Sequence, residues 1–303
     1  FYPRKLKQLQ KERLAVYQAV PSFFADVNGL QYGLLQIQEF PKSYYEAVRE
    51  AVKACNHIYN KTYDLLMRGG NKELEEIGFH RVFHEYITHR SIDALTLLGR
   101  YDFAVTENDE ELSIKVIEFN SDTPLLIMEA FVANEAMCNH FDVENPNKDS
   151  VKQLKDAIYL AIEQTKAYIG VDKPNIVFSA SKGPEVNHIY DDSIECVRST
   201  EFLQSLYDGE SSFCYIEDLT IVEEDSTING SFYEKGLYTK EMKKVDILYR
   251  HTYPAEFFPE DIAADGTPVG EILIELVTEK KLGLINPPTA FALQSKSLLG
   301  LIW

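Results

Sequence analysis

The stretch RYDFAVTENDEELSIKVIEFNSDTP, residues 100–124, decides how this chain is read. Tyr101 to Thr106 and Leu112 to Phe119 alternate around Asn108-Asp109-Glu110, the pattern of a β-hairpin. Arg100 and Asp102 are two apart and share one face of the first strand; Glu118 and Asn120 do the same on the second. If the strands pair residues whose numbers sum to an even value, Asp102 lies opposite Glu118 and Arg100 opposite Asn120, and all four project to one side. Ala104, Ile114 and Val116 would share that face, making it apolar at its start and polar at its end. Opposed side chains on a ladder sit roughly 5 Å apart, where two carboxylates repel by about 3 kcal/mol at an effective dielectric near 20. A cation has to compensate. Arg100 supplies one charge, and a hard divalent ion such as Mg2+ would supply two, with Asp, Glu and an Asn carbonyl as suitable donors. The residues alone leave open a structural reading, in which Arg100 bridges Asp102 or Glu118 while Asn120 and Asp122 serve as turn or cap residues. A one-residue slip in register would also scatter the quartet.

Outward from the hairpin, residues 42–67 repeat Val48, Val52, Cys55, Tyr59 and Leu66 at helical spacing until Gly69-Gly70 stops them, and 79–98 reads as a second helix ended by Gly99. Pro124 opens an apolar helix over 124–139, and 147–168 carries Leu154, Ile158, Ala161, Ile162 and Tyr168 on one side. From about residue 174 the character changes. Strand candidates at 175–180, 213–216 and 245–249 alternate with a helix at 193–207, which predicts a partly parallel α/β unit. Residues 226–235 read as an exposed hairpin or loop, and 291–303 (FALQSKSLLGLIW) as one amphipathic helix ending at its most apolar point.

The chain has 303 residues, with 30 Lys plus Arg against 48 Asp plus Glu, a net charge of −18. Such a surface repels phosphate backbones and disfavours nucleic-acid binding, while it attracts cations. No apolar run approaches the length of a membrane span. Cys55, Cys138, Cys196 and Cys214 lie far apart without a C-x-x-C pair, which suits thiols in a reducing cytoplasm. His80 and His84 are spaced i, i+4, with His89 beyond, but H-E-x-x-H is absent and packed or surface histidines are expected. Arg250 and Glu256 leave two readings, a structural ion pair, which is preferred, or side chains lining a substrate cleft between subunits.

Four segments, RYDF (100–103), VIEFNSDTPLLIMEA (116–130), VDILYRHTYPAEFF (245–258) and NPPTAFALQSKSLLGLIW (286–303), resemble in order the landmarks of the glutathionylspermidine synthetase family of ATP-grasp amide ligases. The resemblance implies an ATP- and magnesium-dependent ligase. A peptide-like carboxylate takes the γ-phosphate of ATP, and an amine or polyamine then displaces phosphate from the acyl phosphate. It implies Asp102, Glu118 and Asn120 as magnesium ligands and Arg100 as the catalytic arginine on the transferring phosphoryl oxygens. Thr123, with Asp122 beside it, falls in the substrate-binding region, and Lys296 in the nucleotide-binding part. The implied fold class is α/β: an ATP-grasp-like body of helices and hairpin over 1–170, a partly parallel pre-ATP-grasp subdomain over 171–285, and at 286–303 the first helix of a nucleotide lobe that is otherwise missing.

Two departures matter. Leu125 stands where relatives often carry a second hydroxyl after the Thr123 position, and the acids Glu185, Asp191, Asp192 and Glu195 do not align cleanly with those that hold the polyamine. Neither a P-loop nor a strand-linked G-x-G-x-x-G is present, so these residues alone are expected not to close a complete ATP site. A non-catalytic peptide- or polyamine-binding relative is the alternative expectation.

Overall fold

The computed structural model describes residues 2–20, 23–27, 29–108, 111–183 and 193–302. Helix α1 (Tyr2–Gln18) leads through the short strands β1 (Asp26–Val27) and β2 (Leu30–Gln31) to the long helix α2 (Lys42–Gly69), then α3 (Asn71–Glu76) and the single turn α4 (Phe83–Tyr86). The hairpin follows as β3 (Arg100–Asn108) and β4 (Glu111–Asn120). A π-helical turn (Glu129–Ala133) runs into α5 (Asn134–His140), and α6 (Ser150–Ile169) precedes β5 (Ile176–Ala180), α7 (Ser193–Ser205) and β6 (Ser212–Tyr215). Next come β7 (Thr220–Val222), β8 (Ser226–Ile228), β9 (Ser231–Tyr233), β10 (Gly236–Tyr238) and β11 (Ile247–Arg250). The chain continues with α8 (Val269–Thr278), β12 (Gly283–Ile285), α9 (Pro288–Gln294) and α10 (Leu298–Ile302).

Strands β12, β11, β5 and β6 form, in that order, a four-stranded sheet in which every pairing is parallel. β5, β11 and β12 are buried along their whole length, as strands covered on both faces must be. Their period of two separates two cores. Ile176, Phe178, Ile247, Tyr249 and Ile285 meet Leu154, Ile158, Ala161 and Ile162 of α6 on one face. Val177, Leu248 and Leu284 pack on the other with Tyr59, Tyr63 and Leu66 of α2 and Leu273 and Leu276 of α8. That second cluster also takes in Phe119 of the hairpin and Leu293 and Leu298 of α9 and α10, so the hairpin and the C-terminal segment stand on one apolar floor.

Several expectations need correction. The helix expected over 79–98 shrinks to Phe83–Tyr86. Beyond it the N–H groups of Asp93, Leu97 and Leu98 donate to the side chains of Gln164 and Asn286, tertiary partners that replace helical ones. The helix expected from Pro124 starts at residue 127, because 121–126 are held as a loop. The helix expected over 291–303 is broken: α9 ends at Gln294, Ser295 turns extended at φ −62°, ψ 123°, and α10 starts at Leu298. The hairpin pairs Arg100 with Asn120 and Asp102 with Glu118, as the parity argument requires. A bulge then leaves Ile117 without a partner, and Ala104 faces Lys115. The polar end of the face therefore does not grade into Ile114 and Val116.

Candidate functional site

The C-terminal ends of parallel strands are where α/β sheets present their loops and bind ligands. Here β11 ends at Arg250 and β12 is followed by Asn286, and both reach the segment that leaves the hairpin. Arg250 grips the Asp122 carboxylate with both terminal nitrogens, at 2.6 and 3.1 Å, and the two side chains are only 1% and 0% exposed. Asn286 Nδ2 donates to the carbonyls of Ser121 and Asp122, at 3.0 and 2.8 Å. Ser121 Oγ donates to Ala290 O, and the Asp122 N–H to Gln294 Oε1. The end of the hairpin is thus fixed on the edge of the sheet.

On that base the polar quartet assembles. Arg100 makes a two-point contact with Asp102, Nε to Oδ1 at 2.7 Å and a terminal nitrogen to Oδ2 at 3.0 Å, and its other terminal nitrogen donates to Leu125 O at 3.4 Å. Asn120 Nδ2 bridges the two carboxylates, 3.3 Å from Asp102 and 3.2 Å from Glu118. Lys296, in the break between α9 and α10, places Nζ 2.8 Å from Glu118. The Arg100 guanidinium holds the Asp102 carboxyl below the usual carboxylate range, and the Lys296 ammonium does the same for Glu118. Two carboxylates that would repel each other are thereby kept ionised side by side, each with its own cation.

A cleft of about 680 Å³ opens beside this group, with Glu118, Asn120 and Lys296 on one wall and Phe79, Phe291 and Glu256 among the others. Asp122, expected to meet substrate, instead lies in the buried pair with Arg250, where Oδ2 also accepts the Ala255 N–H at 3.0 Å. Arg250 accordingly pairs with Asp122 and not with Glu256. Thr123 is half-buried, and among the described residues its hydroxyl has no hydrogen-bond partner. Glu185, Asp191 and Asp192 lie outside the described residues. Glu195, buried in the first turn of α7, accepts the N–H of Leu126, whose φ is 71°.

Among the described residues no three His, Cys, Asp or Glu side chains gather around a point that would hold a metal. The donors in the quartet are nevertheless of the right kind. Two ionised carboxylates and an amide lie on one face, and a half-turn of the Asn120 amide would bring its oxygen where its nitrogen now bridges. His84 of the pair spaced i, i+4 is buried against Phe79 O, a packing role. No helix among the described residues is long and apolar enough to cross a membrane.

Sequence reasoning singled out Arg250 with the wrong partner, and it missed Asn286 and Gln294 as supports of the site. The signal for Arg250 was available: an arginine closing an apolar strand, at the edge where strand ends converge.

The family comparison gives the class of this chain, an ATP-grasp-related ligase family. The chain belongs to the glutathionylspermidine synthase pre-ATP-grasp family, whose model matches residues 24–303. Among solved structures it is similar to a glutathione synthetase-like effector from Globodera pallida in its apo form, with a TM-score of 0.57 at 15% identity. That alignment covers 99% of this chain and 66% of the effector's, and at this identity the likeness is one of fold. No curated protein matches the sequence.

Proposed function

We propose that this chain is the metal- and carboxylate-handling portion of an ATP-dependent carboxylate–amine ligase. The observation that carries the reading is the quartet Arg100, Asp102, Glu118 and Asn120, converging on one face at the carboxyl edge of a parallel sheet in a chain of this family. Phosphoryl transfer is catalysed mainly by positioning and charge neutralisation, which needs fixed cations and a fixed anion-rich metal seat rather than a nucleophile. Asp102, Glu118 and Asn120 would hold Mg2+, which when bound neutralises charge on the phosphates. Arg100, oriented by Asp102, presents its guanidinium to the oxygens of the transferring phosphoryl group and of the acyl phosphate. Lys296 has a side chain 70% exposed and a flexible stem, so it can leave Glu118 for a nucleotide phosphate. Thr123 has a hydroxyl available to the peptide-like carboxylate substrate. The chain spans 66% of the structural neighbour's length, and the reading concerns the activity of the whole gene product.

The test is ADP release by the full-length protein given Mg·ATP and a panel of short peptides paired with amines and polyamines. Amide formation coupled to ADP release is expected for at least one pair, and Asp102→Asn or Glu118→Gln should reduce it by roughly 100-fold or more, the scale of lost electrostatic stabilisation. A folded protein that releases no ADP with any pair would overturn the reading. Leu125, in place of a second hydroxyl, and the side-chain cations already seated on both carboxylates favour one other outcome, a peptide- or polyamine-binding protein without catalysis. Calorimetry separates the two: spermidine binding without Mg·ATP binding supports the second.

A further inference from the structure

We infer that the buried Asp122–Arg250 pair is a positioning element that sets Lys296 against the hairpin carboxylates, an inference that rests on the ligase reading for its functional meaning. Asp122 is the point where three strand-end loops meet. Its carboxylate takes Arg250 at the end of β11 and the N–H of Ala255 five residues on. Its carbonyl takes Asn286 after β12, and its N–H goes to Gln294, the last residue of α9. Asn120 lies two residues before Asp122, and Lys296 two residues after Gln294. Asn120 and Lys296, which meet at Glu118, therefore hang from Asp122 by short tethers on opposite sides.

The chemistry of the pair supports a geometric role. Arg250 and Asp122 are fully withdrawn from water, and the desolvation of two such charges cancels much of their attraction. A pair of apolar side chains of similar volume would hold the fold as well or better. What apolar side chains cannot supply is direction. The guanidinium is a planar fork whose two terminal nitrogens fix the rotation of one carboxylate. It is itself held by Tyr253 O at 2.6 Å and by the ring of Phe258, 5.3 Å from its central carbon. Anchoring the Asp122 side chain holds the backbone of that residue in place, and its N–H carries the Gln294 tether, so the fork at the end of β11 sets where the break between α9 and α10 projects its lysine.

The test uses the full chain with two changes made separately. In Asp122→Leu/Arg250→Met both charges leave together, so no unpaired charge stays buried. Gln294→Ala cuts only the tether and leaves the buried pair intact, so it remains informative if the double variant fails to fold. Three quantities are compared with the wild type: melting temperature, the rate at which acetic anhydride labels Lys296 at fixed pH, and kcat and KM for ADP release. Glu118→Gln serves as the reference for a Lys296 released from its partner. Positioning predicts, in variants that stay folded, Lys296 labelling shifted to the Glu118→Gln level and kcat reduced by roughly 10- to 100-fold, as for an ångström-scale misplacement. A merely structural pair predicts that any folded variant labels Lys296 at the wild-type rate and keeps wild-type kcat, and that result would overturn the inference. Failure of the ligase reading shows separately, as absence of ADP release in the wild type, while the labelling comparison still decides the positioning question.

Discussion

Lys296 and His251 illustrate opposite fates for a basic side chain. Lys296 is mostly exposed, so its 2.8 Å bridge to Glu118 is screened by water and adds little to folding. Lys296→Met is expected to move the melting temperature by less than about 3 °C, since an exposed pair is worth at most about 1 kcal/mol. A larger drop would mean that the bridge is structural. His251 is fully buried at the end of β11, with Nδ1 3.3 Å from the Tyr249 hydroxyl and no partner for Nε2 among the described residues. Burial pushes its pKa down from 6.5 to about 4. The folded ring stays neutral until about pH 4 while the unfolded one takes a proton near 6.5, so between those values the unfolded state binds more protons. Stability is therefore expected to fall as pH drops through this window, by up to about 3 kcal/mol. His89, also lowered by burial, acts in the same direction, whereas Asp102 and Glu118, with depressed pKa values, lose their contribution only at the acid end. Melting temperature against pH should thus slope in wild type between 6.5 and 4 and flatten in His251→Gln; equal slopes would refute the assignment.

Among the elements, the turn of 3-10 helix over Ala255–Glu260 and helix α8 meet at Gly270 with no space to spare. A Cβ there would fall 1.9 Å from the carbonyl oxygen of Phe258, a backbone atom that cannot rotate away. Gly270→Ala should cost about 3 kcal/mol or more, beyond the usual range for overpacking, because relief requires one element to shift. The same turn presents the Ala255 N–H to Asp122, so the loss should appear in the candidate site as well as in a thermal melt. A variant that melts like the wild type would show that the two elements slide freely. This is also the scale at which the sequence was most unevenly legible. The hairpin could be read because its period and parity are local, and so could β5, β11 and α6, whose apolar patterns are strong. The stretch 87–99 could not, since the N–H groups of Asp93, Leu97 and Leu98 are satisfied by Gln164 and Asn286, far away in sequence. Strand β12 is hard to read because a short apolar run buried on every side has little periodicity, whereas helix α8 does carry a helical signal, with Glu271 and Glu275 exposed at i, i+4 among buried apolar residues. The break at Ser295–Ser297 was hidden within a pattern whose apolar spacing stays helical across it. Likewise Arg100, Asp102, Glu118 and Asn120 were legible as a group, while the seating of Lys296 on Glu118 and of Arg250 on Asp122 spans too much sequence for any local rule.

For the whole molecule, a net charge of −18 means that added salt will stabilise the fold, and the proposed Mg2+ seat would add a second, distinguishable contribution. Any salt screens the repulsion among surface carboxylates. A divalent ion, if held at Asp102, Glu118 and Asn120 as proposed, would add a linkage term, because the unfolded chain offers no such arrangement. With ~10 mM Mg2+ and a dissociation constant of ~1 mM, that term is about 1.4 kcal/mol, or roughly 3 °C for a chain of this size. The two contributions separate when Mg2+ is compared with NaCl at matched ionic strength. The excess due to Mg2+ should vanish in Asp102→Asn/Glu118→Gln, which removes both ionised donors. The charges already at the site sharpen the expectation. Lys296 occupies Glu118 and repels a second cation, so an incoming ion must displace it. Lys296→Met should therefore enlarge the Mg2+ excess even though it barely alters stability in the absence of the ion. The ordering Lys296→Met above wild type above the double variant follows from the seat of the two carboxylates, whereas a diffuse response of the acidic surface would raise all three melting temperatures equally.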